Sequence, residues 1–140
     1  MKNYLLIPLF ATLFIGGLNA QTEVKLNPIA LLFLGIGAGV EYGVNPDVGV
    51  ELNALIVEDG SAVWVAGKYY MNPRQGLDRF YIGAYLGGVT DGESPGIGFL
   101  LGHKAVSRNN KVLFEIGAGA GRTFSGGFLP YGRLSVGLRI

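Results

Sequence analysis

The sequence predicts an all-β protein, an eight-stranded antiparallel up-and-down transmembrane β-barrel. Three observations carry that prediction. After Ala20, apolar and polar residues alternate with period two along most of the chain, the mark of strands whose faces meet different solvents. Glycine, 24 of 140 residues, sits inside those alternating runs and not only between them, which disfavours helices. The polar faces collect most of the charge and the opposite faces are nearly all apolar. A soluble barrel would place apolar residues inside and charge outside, so this pattern belongs to a barrel dissolved in lipid.

Residues 1–20 read separately. Met1-Lys2-Asn3 is a short basic start, Tyr4 to Ile15 is apolar apart from Pro8 and Thr12, and small residues lead to Ala20. That is the layout of a cleaved signal peptide with its cut after Ala20. A spanning helix would need roughly 20 apolar residues; this run is shorter, ends in glycines and has no stop-transfer charges. Residues 21–140 then form one barrel domain. With Lys2 removed from the 11 basic residues, ten remain against 10 acidic ones, so no basic excess points to nucleic acid or to anionic headgroups. The absence of cysteine excludes disulfides and thiolate metal sites.

Eight strands are expected in order. The first covers about Glu23 to Leu34, with Lys25 and Asn27 opposite Val24, Leu26, Ala30 and Leu32. The second and third form a hairpin about Asn45-Pro46-Asp47, a turn in which proline fixes φ and the Asn and Asp side chains bond back to the backbone. Ile36, Ala38, Val40, Tyr42 and Val44 share one face of the second strand, and Val48, Val50 and Leu52 one face of the third. Asp59-Gly60-Ser61 separates the third strand from the fourth, about Ala62 to Met71, and Asn72 to Asp78 breaks the fourth. The fifth runs from about Arg79 to Thr90 and ends in the polar loop Asp91 to Gly96. The sixth (about Ile97 to Val106) turns at Ser107 to Asn110. The seventh (Lys111 to about Phe124) turns at Ser125-Gly126-Gly127 into the eighth, about Pro130 to Ile140.

Superposing the polar faces assembles one interior: Lys25, Glu41, Glu51, Lys68, Lys104, Glu115, Arg133 and Arg139, with Tyr70, Tyr81, Tyr85 and Tyr131. Lipid cannot satisfy backbone groups, so the sheet must close on itself. Membrane strands need about 9–11 tilted residues, and eight of them leave no length for a plug. Tyr42, Tyr69 and Phe80 fall near the end that carries the termini, and Phe33, Phe99, Phe124 and Phe128 near the other, as two aromatic girdles would require.

Several short motifs carry a resemblance. Lys25-Leu26-Asn27, Gly39-Val40-Glu41-Tyr42-Gly43, Lys68-Tyr69-Tyr70-Met71-Asn72-Pro73, Phe80-Tyr81-Ile82-Gly83 and Gly98-Phe99-Leu100-Leu101-Gly102-His103-Lys104 are spread over nearly all of residues 21–140. Together they resemble a family of small Gram-negative outer-membrane barrels and, more broadly, the OmpA/OmpX/OmpW-like eight-stranded superfamily. The resemblance implies an outer-membrane location and the eight-stranded barrel, and it brings no catalytic residues; the layout of residues 1–20 gives export through a Sec-type signal peptide. Leu138-Arg139-Ile140 departs from the aromatic ending common in such barrels.

Three function classes follow. An eight-stranded lumen is filled by its side chains, so the inward charges are expected to pair as a structural core with no open pore. The expected setting is a monomer in the cell envelope whose partner is outer-membrane lipid, with no cofactor and no metal. A lipid-modifying enzyme is the alternative, built on the single histidine, His103, with Ser107 and Glu115. The alternation sets His103 facing out and Glu115 facing in, so a triad is not expected to converge. One histidine, no cysteine and no acidic cluster argue against a metal site. The third class is a soluble exported barrel binding a small apolar ligand; the short connections between strands form no dedicated recognition surface.

Overall fold

The structure, a computed structural model, describes residues 21–89 and 94–140. The expected signal peptide, Thr90 at the expected end of the fifth strand and the loop residues Asp91 to Glu93 lie outside the described residues. Eight antiparallel strands close into a barrel in simple sequence order. They are β1 (Thr22–Leu26), β2 (Ile36–Asn45), β3 (Val48–Val57), β4 (Gly60–Tyr70), β5 (Arg79–Val89), β6 (Gly96–Val106), β7 (Val112–Thr123) and β8 (Phe128–Arg139). No helix among the described residues is long and apolar enough to cross a membrane, which says nothing of strands.

The hairpins form where turn chemistry requires. Asp47 N–H donates to Asn45 Oδ1 at 2.9 Å, the side-chain turn expected of that dipeptide. The first and last strands lie side by side: β1 pairs with β8 from Glu23↔Arg139 to Leu26↔Val136, and Ile140 N–H donates to Thr22 O at 2.9 Å. The start of β1 and the end of β8 therefore sit at the end that also carries the β2–β3, β4–β5 and β6–β7 turns.

The first strand is much shorter than expected. It stops at Leu26, and Pro28–Leu32 form a short helix, α1. Asn27 caps it by accepting the Ile29 N–H at 3.0 Å, and Pro28 stands in its first turn. An Asn–Pro pair is a helix start, because the Asn oxygen satisfies an orphan N–H and proline has none to lose. Leu34 then reverses the chain at φ 53. The residues Ile29 to Leu34, apolar on both faces, are thus not strand; Ala30 is buried over the mouth while Leu31, Leu32, Phe33 and Leu34 project outward.

Inside and outside are as the alternation requires. Val65, Ile82, Leu86, Phe99, Leu101, Phe114, Ile116 and Leu138 all face outward and are exposed. The largest fully buried side chains are Tyr70, Tyr81, Lys25, Lys68, Lys104, Leu77, Leu113 and four glutamates. Glycine makes room for the two tyrosines. A Cβ on Gly102 would overlap the Tyr81 ring and hydroxyl, and one on Gly98 would overlap those of Tyr85. Only a residue without a side chain lets these phenols cross the lumen.

One connection does more than join strands. The loop between β4 and β5 folds back over the barrel end and buries Leu77 to 1% exposure. Its methyls lie against Gly49 and Gly43. Gln21 accepts the Leu77 N–H at 3.1 Å, and Arg139 Nη2 donates to Leu77 O at 3.0 Å. A separate plug was not expected on grounds of length, yet this single leucine caps one mouth. Asn72 (φ 49), Gly76 (φ 80) and Arg79 (φ 72) supply the left-handed backbone that so tight a path needs.

Candidate functional site

The site is the lumen itself. Strand register lays Arg139, Glu23, Glu41 and Glu51 side by side across β8, β1, β2 and β3. Three neighbouring carboxylates in one row repel one another. Lys68 from the adjoining β4, Lys104 from β6 across the lumen and Arg133 from β8 answer them, while Lys25 rises between them from β1 itself.

Lys25 Nζ is the hub. It donates to Glu51 at 2.5 Å, to Glu115 at 2.5 Å and to Glu41, with Glu23 3.6 Å away. Lys68 donates to Glu51 at 2.8 Å, to Glu41 at 3.3 Å and to Glu115. Lys104 donates to Glu23 at 2.6 Å and Glu41 at 2.9 Å. Arg133 pairs with Glu51, and Arg139 Nε donates to Glu23 at 2.9 Å. The four glutamates and three lysines are buried to within 1% of complete, and the two arginine side chains to 5% exposure.

Tyrosines complete the coordination. Tyr81 O–H donates to Glu115 at 2.7 Å and Tyr70 O–H to Glu41. Lys68 Nζ stands 4.7 Å over the Tyr81 ring and Lys104 Nζ 4.6 Å over the Tyr70 ring, so each of these ammoniums faces a π surface besides its carboxylates. Asn53 donates to Glu51 at 2.5 Å. Charges withdrawn from water are tolerable only when paired and hydrogen-bonded in this way.

All eight residues expected in the interior are there: Lys25, Glu41, Glu51, Lys68, Lys104, Glu115, Arg133 and Arg139. Glu23 joins them and was missed. It shares parity with Lys25 two residues on, so the signal existed at the edge of the strand. The cluster then holds five cations, Lys25, Lys68, Lys104, Arg133 and Arg139, against four carboxylates.

An acidic cluster not evident in the sequence is also present. Glu41, Glu51 and Glu115 each offer an oxygen within 4.8 Å of the others, because closure brings β2, β3 and β7 to one point. The centre is held by the ammonium groups of Lys25 and Lys68, so a metal ion would have to displace them. His103 faces outward and is exposed, in register with Phe80 and Ile116. Glu115 is buried on the other side of the sheet, and the Ser107 hydroxyl accepts the Val112 N–H at 3.0 Å in its own turn. The three do not meet.

A closed eight-stranded barrel with an apolar outer surface and a paired ionic interior is the class that fold and lumen define. Comparison with protein-family models, curated proteins and solved structures returns no match.

Proposed function

We propose that this chain is a small integral outer-membrane β-barrel with a structural role in the cell envelope. On this reading residues 1–20 are a cleaved export signal, the monomer sits in outer-membrane lipid, and the lumen conducts nothing. The observation that carries it is the inversion of the two faces: Ile82, Phe99, Leu101 and Ile116 exposed outside, lysines and glutamates buried inside. In water the exterior would be one continuous apolar surface, far larger than soluble proteins tolerate. In lipid it is the proper face. The ionic cluster crosses the lumen from wall to wall, which supports a closed interior, and the sequence resemblance to small Gram-negative outer-membrane barrels points the same way.

The test is electrophoretic. Protein folded into detergent micelles is run unheated and boiled, side by side. A closed membrane barrel stays folded without heat and migrates differently from the boiled chain. If instead the protein folds in buffer free of detergent, the outer surface faces water and the membrane reading is wrong.

A further inference from the structure

The lumen differs from end to end. Leu77 caps the mouth beside the termini. At the other mouth β4, β5 and β8 leave a cavity of about 230 Å³, walled by Ala62, Trp64, Tyr85, Leu129 and Tyr131. Three rings shape it. Tyr85 and Tyr131 lie 5.0 Å apart at 31°, and Trp64 meets Tyr131 edge-on at 6.2 Å and 87°.

The polar atoms of this wall are unequally served. Tyr85 O–H donates to Leu129 O at 2.8 Å. Trp64 Nε1 and the Tyr131 hydroxyl are buried, with no hydrogen-bond partner among the described residues. Tyr131 is only 9% exposed. The Trp64 N–H lies within reach of the Tyr131 oxygen, short of a well-formed hydrogen bond, and the Tyr131 O–H itself has no acceptor among the described residues. Buried donors left unpaired are costly, and they stand out beside a cluster in which every lysine has carboxylate partners.

We propose that this mouth binds a small, flat ring molecule carrying a carbonyl oxygen. The three aromatic rings hold its faces and edges, and the Tyr131 O–H, with the Trp64 N–H behind it, donates to the carbonyl. A phenol O–H with no acceptor of its own needs a ligand that brings one. The rest of the wall is apolar, which disfavours sugars, whose many hydroxyls would go unpaired. Arg133, which lines an adjoining crevice with Trp64, is paired with Glu51 and does not line this cavity. The inference rests on the lumen's geometry and holds whether the barrel sits in lipid or in water.

Trp64 is the single tryptophan of the chain and so reports from inside the site. The experiment titrates the folded protein with 1,4-naphthoquinone at two detergent concentrations and follows tryptophan emission. Saturable quenching is expected. Tyr131→Phe, which loses one donor, should weaken the midpoint about five- to tenfold. Ala62→Leu, which fills the cavity, should abolish the saturable component. Both variants are first checked for the native electrophoretic shift, so that lost quenching is not lost folding. Quenching that merely follows the quinone-to-detergent ratio, equal in all three proteins, would overturn the site. Saturable quenching that Tyr131→Phe leaves unmoved would overturn it too. Should the chain prove to fold without detergent, the same titration in buffer decides the question independently of the membrane reading.

Discussion

Replacing Lys25 by methionine removes the cation that joins most of the lumen. The two side chains are similar in length, so shape is kept while Glu41, Glu51 and Glu115 lose a shared donor, two of them at 2.5 Å. Breaking a buried ion pair from one side costs roughly 3–5 kcal/mol. Lys68 still reaches all three carboxylates and Lys104 still serves Glu41. The expected loss therefore lies at the low end, about 3 kcal/mol. Adding Glu115→Gln removes a carboxylate left with Lys68 as its one ammonium, and should return about 1–2 kcal/mol, since neighbouring residues couple by that order. Urea unfolding in micelles, read by Trp64 emission, measures both. The midpoint should fall in the single variant and partly recover in the double, at constant slope. A single-variant loss under about 1 kcal/mol with strictly additive effects would refute the reasoning, because water would then be able to replace the ammonium.

Two further outcomes follow from the outer face and the glycines. Leu101 stands mid-strand and exposed on β6; Leu101→Lys should lower stability in lipid vesicles by about 2–4 kcal/mol, whereas on a water-facing sheet it would be near neutral. Gly102→Ala sets a methyl against the Tyr81 phenol and should cost about 1–3 kcal/mol by overpacking. In the Tyr81→Ala background, where the phenol is gone, only part of that penalty should vanish in the same urea titration, because the Ile116 carbonyl crowds the same position.

The barrel was largely legible because alternation is a local property. Each strand from β2 to β8 shows its two faces within a few residues, and the interior membership of Lys68, Lys104 or Arg133 follows from parity alone. Where parity stops, legibility stops with it. The apolar stretch Ile29 to Leu34 carries no alternation, and the signal that mattered there was the Asn27-Pro28 helix start. Glu23 lay one step beyond the part of the strand whose parity was read. Pairings were not legible at all: that Lys25 reaches Glu115, 90 residues on, depends on the stagger with which the sheet closes. The Leu77 cap and the aromatic mouth have the same origin, since neither belongs to any single strand's pattern.

Seven of the eight seams join strands consecutive in sequence, and only β1 to β8 joins the two ends of the chain. That seam has four paired positions, Glu23 to Leu26 against Arg139 to Val136, where β7 and β8 have a ladder running from Val112↔Leu138 to Arg122↔Phe128. The hairpins can assemble from neighbours, while ring closure must bring together residues such as Glu23 and Arg139, 116 positions apart, and bears the long-range entropy of the fold. Losing it would not return a random chain. It would leave a continuous curled sheet with two raw margins, each a row of unpaired backbone groups able to template a strand from another molecule. Arg139, gripping Glu23, the Leu77 carbonyl and the Gln75 carbonyl at once, is the clasp that keeps those margins on each other.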